Sequence, residues 1–114
     1  MFNVILKLYF VYFDESQNIF KVYLDDAGLI PEIKLDKEDQ IEDYIFEKSL
    51  DIFYGQTQQL LNSCKLSDIE KKEDIIYITY NIYCYDTLEC KCGKFVPFDK
   101  NSIELYRFAK NRGI

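Results

Sequence analysis

Apolar stretches separated by turn residues predict three strands in the first part of the chain. In residues 2–13 every even position is apolar and the odd positions are mixed, which predicts a strand covered on both faces to different degrees. The polar stretch 14–18 predicts a turn, so residues 19–24 should form a hairpin with the first strand. Residues 30–35 predict a short third strand, and Pro31 places it at a sheet edge or at a strand start.

The spacing changes to that of a helix over residues 39–54. Asp39 and Glu42 form a capping box, which satisfies free backbone amides of the first turn, and Gly55 suits the left-handed position after the last turn. Two apolar stripes run along this helix, one with Ile41, Ile45 and Ile52 and one with Phe46, Leu50 and Phe53. Two stripes predict a helix that is contacted on more than one side.

The rest of the chain predicts three more strands and a second helix. A strand, a polar connection and two further strands are predicted over residues 58–66, 67–74, 75–85 and 89–98. A second helix is predicted over residues 101–112, where Asn101 and Glu104 form another capping box. The resulting order, β-β-β-α-β-β-β-α in one domain spanning residues 1–114, predicts an α+β fold with a mixed, mainly antiparallel sheet flanked by helices.

Composition and charge exclude several classes of function. The chain contains no histidine, so Ser-His-Asp triads, Cys-His dyads and histidine-ligated zinc are excluded. The net charge of −6 repels phosphate backbones and disfavours nucleic-acid partners, although residues 91–114 carry six basic and two acidic side chains.

The same composition bears on location. No apolar run approaches the ~18 residues of a membrane-spanning helix, and the first residues have no basic signal-peptide region. We therefore expect a cytoplasmic protein with no membrane partner. The bias toward residues of AT-rich codons suggests a phage or an AT-rich bacterium, and for a phage protein the virion is the alternative location.

Four segments, spread over most of the chain, follow the order of a known fold. Residues 30–36 and 37–43 stand where the Nudix family has its turn and its acidic loop before a helix. The segment Lys-Phe-Val-Pro-Phe-Asp at 94–99 resembles the family's Trp-Val-Pro-Leu-Asp-Glu type of segment, and residues 103–112 resemble its last helix. The resemblance implies a Nudix-like α/β/α sandwich.

The chain departs from the family at its catalytic helix. The Nudix helix carries Arg-Glu-Leu-x-Glu-Glu-x-Gly, whose glutamates bind catalytic magnesium ions. When Gly55 is aligned with the family's glycine, the glutamate positions become Ser49, Ile52 and Phe53, which we call the box positions. Isoleucine and phenylalanine supply no oxygen ligand, so the resemblance implies a Nudix fold with an erased catalytic box. The paired glycines of the family's turn are also replaced, by Glu32 and Ile33.

Acidic residues nevertheless cluster along the first helix. A shift of one residue places Glu47 or Asp51 nearer the family's acidic positions, which still leaves one or two carboxylates where the family uses three. We interpret the cluster as a solvated helix face, since acids suit a helix start. The alternative is a magnesium site for hydrolysis of nucleoside diphosphate derivatives, formed by Glu38, Glu42, Glu47 and Asp51.

The chain has four cysteines, Cys64, Cys84, Cys90 and Cys92. Cys84, Cys90 and Cys92 are the candidate ligands of an alternative zinc site. Their spacing fits zinc poorly, because only one residue separates Cys90 from Cys92 whereas paired zinc ligands are typically separated by about two to four. If a hairpin turned at Thr87, Cys84 would lie opposite Cys90. We expect four reduced, partly buried thiols instead.

Aromatic and basic side chains are the candidates for an interface. Tyr77, Tyr83 and Tyr85 share one face of a predicted strand, and Lys94 and Arg107 belong to the basic end of the chain. Tyrosine is enriched at protein interfaces, so we expect a protein partner or a homo-oligomer. The sequence therefore favours a catalytically inactive Nudix-like module for protein interaction or assembly, with no catalytic residue and no cofactor. A divergent magnesium-dependent hydrolase and a small cysteine-zinc module are the alternatives.

Overall fold

The computed structural model describes residues 3–35, 41–55, 64–84 and 89–97. Over these residues it contains six strands and one helix. Their bounds are β1 (Asn3–Asp14), β2 (Ile19–Leu24), β3 (Glu32–Leu35), α1 (Ile41–Ile52), β4 (Cys64–Lys72), β5 (Ile75–Tyr83) and β6 (Lys94–Pro97). The second predicted helix, over residues 101–112, lies outside the described residues.

The six strands form one sheet with β1 at its centre. Its strand order is β4-β5-β1-β2-β6, and β3 also pairs with β1. Strand β5 runs parallel to β1 along Asn3–Val11, while β3 and β2 pair antiparallel with its two ends, at Val4–Lys7 and Val11–Asp14. Because the other described pairs are antiparallel, the prediction of a mixed, mainly antiparallel sheet is confirmed.

Both faces of the sheet bury apolar side chains along β1. The even-numbered residues Leu6, Leu8 and Phe10 are fully buried in a core cluster that also contains residues of α1. Tyr9 and Val11 belong to a second cluster on the opposite face, together with residues of β2. The prediction that the first strand is covered on both faces is therefore confirmed.

Helix α1 packs on the first of these faces, mainly through one of its own sides. Ile45, Ser49 and Ile52 are its buried residues. Leu50 is 42% exposed, so the predicted second stripe is wrong at this position. Leu50 lies on the arc of α1 that faces away from the sheet, where Glu47 and Asp51 are also exposed. Gly55 has φ +80°, which agrees with its predicted place after the helix.

The strand predicted over residues 58–66 continues beyond its predicted end. Strand β4 covers Cys64–Lys72, so most of the connection predicted over residues 67–74 is strand, and its last two residues form the turn into β5. Residues 58–63 lie outside the described part of the chain. The alternation was hidden because Ser67 is an extra residue, a β-bulge between Leu66 and Asp68, and because both faces of β4 are polar or exposed.

The strand predicted over residues 89–98 is much shorter, since β6 covers Lys94–Pro97. Strand β6 pairs with β2, so the predicted hairpin that would set Cys84 opposite Cys90 does not form. Residues 89–93 instead follow an irregular path, with Cys90 in an isolated bridge to Phe53 and Gly93 at φ +68°. In the described part of the chain, no helix has the length and apolar character needed to cross a membrane.

Candidate functional site

All three box positions point into the core. Ser49, Ile52 and Phe53 are 0%, 2% and 1% exposed. The Ser49 hydroxyl donates to the Ile45 carbonyl one turn earlier at 2.7 Å, so its single oxygen is already engaged. This environment provides neither the oxygen ligands nor the retained water that magnesium requires.

Phe53 lies at the centre of a group of rings that we call the aromatic cluster, formed by Phe10, Tyr23, Phe53 and Phe95. Its ring packs edge-on against Phe10 and Tyr23, with centroid distances of 5.2 and 5.4 Å. It also stacks on Phe95, with an interplanar angle of 15°. At the position where the resemblance implies a metal-binding glutamate, the chain therefore has a core phenylalanine.

The acidic candidates lie on the outer surface of α1. Glu42, Glu47 and Asp51 are exposed, and Glu38 lies outside the described residues. Glu47 and Asp51 are one turn apart and share an arc, whereas Glu42 lies nearly opposite Asp51 around the helix. Within residues 3–35, 41–55, 64–84 and 89–97, no three His, Cys, Asp or Glu side chains gather in a way that could hold a metal ion.

The carboxyl end of α1 is closed by residues 89–93, which we call the helix-cap loop. The Lys91 amide donates to the Ile52 carbonyl at 2.6 Å, and the Lys91 ammonium donates to the Leu50 carbonyl at 2.8 Å. In return, the Tyr54 amide donates to the Glu89 carbonyl at 3.0 Å. These bonds satisfy carbonyls that a helix end leaves unpaired, and the Lys91 charge complements the negative end of the helix dipole.

Tyr23 supports the helix-cap loop from below. Its side chain is fully buried, and its hydroxyl donates to the Cys92 carbonyl at 2.8 Å. Burial first, and then the contact with Cys92, holds the pKa of the Tyr23 phenol well above its ordinary value. The group therefore stays a neutral hydrogen-bond donor at physiological pH.

Gly93 fixes the other end of the loop. Its amide donates to the Asp26 side chain at 2.8 Å. A Cβ at this position would collide with the Leu24 carbonyl oxygen and the Tyr23 hydroxyl, and the φ of +68° disfavours any side chain. Only glycine fits the passage from the helix-cap loop into β6.

The cysteines do not form a reactive or metal-binding centre among the described residues. None of the four is in a disulfide. Burial raises the pKa of the Cys64 thiol to about 11, that of Cys84 well above its ordinary value, and that of Cys90 above it as well. Cys92 is exposed. Buried thiols with raised pKa values are neutral at physiological pH and are poor nucleophiles and poor metal ligands.

The predicted interface residues are not brought together as one surface. Tyr77 and Tyr83 lie on β5 and are both half-buried, and the Lys7 ammonium stands 5.0 Å from the centroid of the Tyr77 ring. Lys94 is exposed on β6, which is separated from β5 by β1 and β2. Tyr85 and Arg107 lie outside the described residues.

Sequence reasoning missed the helix-cap loop and the role of Tyr23. A signal for the loop was present in Gly93, a glycine inside an apparent strand, which often marks a bulge or a close backbone approach. The bonds from Lys91 to Leu50 and Ile52 of α1 join residues 41 and 39 positions apart and leave no local pattern.

Among the comparisons with known proteins, that with solved structures agrees with this architecture. No protein-family model matches the chain, and no curated protein matches it. A MutT/nudix family protein from Enterococcus faecalis has a similar structure, with a TM-score of 0.64 at 9% identity. The match covers 90% of this chain and 46% of that one, so the chain spans about half the length of that protein.

A second solved structure is similar to the whole of this chain. The NUDIX domain of Shewanella oneidensis NrtR, crystallised with ADP ribose, has a TM-score of 0.60 at 11% identity, over 100% of this chain and 90% of that one. Together the two matches show that the chain has a Nudix-like α+β fold.

Proposed function

We propose that this chain is a non-catalytic Nudix-fold domain that binds or assembles with protein partners. The observation that carries the proposal is the burial of the three box positions, with Phe53 at the centre of the aromatic cluster. A site that has become part of the hydrophobic core has no room for a hydrated metal ion or a reacting phosphate. Magnesium therefore does not fit these positions, and we assign the chain no cofactor.

The surface offers what a binding module needs. Five large apolar side chains are exposed among the described residues, namely Leu29, Leu50, Tyr54, Leu66 and Ile69. Leu50 and Tyr54 lie at the end of α1, next to the exposed acids Glu47 and Asp51. Exposed apolar groups with a charged rim are typical of protein-interaction sites.

A divergent hydrolase is the second candidate, and one observation favours it. Glu47 and Asp51 share the outer arc of α1, which provides two exposed carboxylates on the helix that carries the metal ligands in the Nudix family. Because the similar domain of the Shewanella protein was crystallised with ADP ribose, that compound is the first to test on this chain. Two carboxylates on a solvated arc are a poor substitute for a two-metal site, which must hold the attacking and leaving oxygens together.

A turnover assay separates these functions. The purified chain is incubated with ADP ribose, dinucleotides and nucleoside triphosphates, each with Mg²⁺ or Mn²⁺, and released phosphate and nucleotide are measured. We expect no turnover above buffer. Metal-dependent hydrolysis that is lost in Glu47→Gln or Asp51→Asn, but kept in the control Glu15→Gln at an exposed acid outside α1, would replace the binding module with an enzyme.

Two further measurements complete the test. Elemental analysis of the purified protein should find no stoichiometric zinc, and zinc that disappears in Cys90→Ser would instead support the cysteine-zinc module. Capture from the native source, with Leu50→Glu as the control variant, should recover a protein partner that the control loses. Because the chain is rich in residues of AT-rich codons, a phage lysate is the first source in which to seek the partner. The cytoplasm and the virion are the locations to examine.

A further inference from the structure

Strand β4 is the most exposed element of the described sheet. Every residue after Cys64 in this strand is exposed. Among the described strands β4 pairs with β5 alone, so it forms one edge of the described sheet. Such an edge presents backbone donors and acceptors to solvent and can pair with a further strand.

The bulge in β4 gives this edge an apolar side. Leu66 lies opposite Tyr80 and Asp68 opposite Thr79, which leaves Ser67 as the extra residue. Leu66 and Ile69 are three apart and would face opposite ways in a regular strand, but the extra residue brings them onto one face. They are 53% and 58% exposed.

The opposite face of β4 carries charges in a self-complementary order. Lys65 and Glu70 lie opposite Asn81 and Tyr77 of β5, so both point away from the side of Leu66 and Ile69. When Ser67 is left out as the bulged residue, Asp68 is midway between Lys65 and Glu70, and also midway between Leu66 and Ile69. A strand with this arrangement matches itself when it is turned by 180° about Asp68.

We propose that β4 pairs antiparallel with β4 of a second copy of this chain, about a two-fold axis at Asp68. Leu66 then lies beside Ile69 of the other copy and Lys65 beside Glu70 of the other copy, and symmetry makes each pair twice. Cross-strand apolar and opposite-charge pairs are the interactions that stabilise such an edge. The inference rests on the proposed assembly role and names the partner as a second copy.

The geometry produces a closed dimer. Each copy uses the β4 edge once, and a two-fold pairing of identical edges leaves no second β4 edge for another copy. The opposite edge of the described sheet, β6, has only four residues and ends in Pro97, which has no amide to donate. The axis is perpendicular to the sheet, so both copies keep α1 on the same side of one continuous sheet.

The axis itself contains one unfavourable contact, which makes the register testable. Asp68 of one copy lies directly opposite Asp68 of the other, and like charges in that position are destabilising. Removing the charge with Asp68→Asn should therefore tighten the dimer, by about three-fold in the dissociation constant. Because burial of any unpaired carboxylate is unfavourable, this variant tests whether Asp68 is in the interface, and the Lys65 and Glu70 variants test the register.

Sedimentation equilibrium on the full chain, over a range of concentrations, tests the proposal. We expect a monomer–dimer equilibrium that Lys65→Glu weakens by about ten-fold, because two like-charge pairs replace two opposite-charge pairs. The double variant Lys65→Glu/Glu70→Lys should restore the dimer. The matched control Lys34→Glu, an exposed strand lysine on β3, should leave association unchanged.

Cross-linking tests the axis directly. Residues directly opposite each other on antiparallel strands have Cα atoms about 4.5–5.5 Å apart, within the range of a disulfide. Under mild oxidation the variant Asp68→Cys should form a disulfide between the introduced thiols of the two copies, which peptide mapping would identify. The control Lys72→Cys, whose introduced thiols are far from each other in this register, should form no such link.

The outcomes separate this inference from the proposed function. A chain that stays monomeric at every concentration, or a dimer that the single variant Lys65→Glu does not weaken, overturns the pairing of β4 and leaves a binding module for other proteins. Metal-dependent turnover overturns the proposed function and leaves the dimer as it is. The substituted residues are exposed, so each variant should keep the circular dichroism spectrum of the parent chain.

Discussion

The carboxyl end of α1 and the β4 edge of the sheet differ in whether described residues cover them. At the end of α1 the helix-cap loop and Tyr23 satisfy backbone groups with named partners, above the buried aromatic cluster. At the sheet edge, the side chains of β4 after Cys64 are exposed, and no described strand pairs with the outer side of β4. We infer from this difference that specific contacts at the carboxyl end of α1 stabilise the Nudix-like fold, whereas the β4 edge is the surface proposed to bind a second copy.

This contrast has a consequence for local stability. In the helix-cap loop, the Lys91 and Gly93 amides are bonded to Ile52 and Asp26, so their hydrogens exchange with solvent only when these bonds open. The outer edge of β4 is covered by no described strand. Regions with few buried apolar contacts open at a lower free-energy cost than the core does. The predictions below test this contrast in order of decreasing effect.

The largest effect is expected from removing the central ring of the aromatic cluster. Phe53→Ala should lower the free energy of unfolding by about 4 kcal/mol, because it creates a cavity among four packed rings. The control Leu66→Ala, at an exposed position of β4, should change it by no more than about 0.5 kcal/mol when both variants are measured at a concentration where the chain is monomeric. Urea denaturation of both variants measures the difference, and similar losses at the two positions would remove the contrast.

Gly93 is expected to come next. Gly93→Ala adds a Cβ that collides with the Leu24 carbonyl oxygen and requires an alanine at φ +68°, so we expect a loss of about 3 kcal/mol. Gly28 is a matched control, because its φ is +79° but a Cβ there meets nothing within 4 Å. Gly28→Ala should therefore show the backbone strain alone, about 1 kcal/mol. Equal losses in the two variants would mean that Gly93 is not closely packed.

The hydroxyl of Tyr23 has a smaller role that can be isolated. Tyr23→Phe keeps the ring in the aromatic cluster but leaves the Cys92 carbonyl without its donor, which should cost about 1.5 kcal/mol. The control Tyr54→Phe removes a hydroxyl from a side chain that is 56% exposed, and should be close to neutral. Thermal unfolding of the pair at neutral pH measures the difference, and a neutral Tyr23→Phe would show that the helix-cap loop does not depend on this bond.

The same two ends explain how much could be predicted from the sequence. The bounds of β2 were predicted to the residue, because a short, mainly apolar run interrupted by Lys21 lies between two clear turns. Residues 67–72 of β4 were predicted as a connection, because a bulge at Ser67 interrupts the alternation and an edge strand need not have an apolar face. The helix-cap loop was read as a strand, since its shape follows from bonds to α1 and Tyr23 that are distant in the sequence.

For the candidate site, alignment on Gly55 predicted Ser49, Ile52 and Phe53 at the positions of the family's glutamates, and that alignment stays a prediction. The burial of those residues required the structure, because an alignment gives no direction for a side chain. The self-complementary order of β4 was also hidden, since Lys65 and Glu70 share a face only when the bulge is counted.

The smallest effect is expected at the turn between β1 and β2, and it depends on pH. A hydrogen bond from the Ser16 hydroxyl at 2.6 Å, followed by the contact with Lys21 at 3.1 Å, lowers the pKa of Asp14 from 3.8 to about 2. A carboxyl whose pKa is lower in the folded state stabilises the fold above its unfolded pKa and loses this contribution as the pH falls through the folded pKa. The contribution of Asp14 should therefore be complete above about pH 4 and absent near pH 2.

Thermal unfolding between about pH 6 and pH 2 checks this. Asp14→Asn should be less stable than the parent chain at the upper pH, and the two curves should converge as the pH approaches 2. Glu15→Gln removes a negative charge from the adjacent exposed residue and controls for net charge. A difference between Asp14→Asn and the parent that stays constant down to the lowest pH would mean that the carboxylate adds nothing beyond the shape of the turn. Convergence would place this turn with the α1 end of the molecule, where polar groups have specific partners, and apart from the exposed β4 edge.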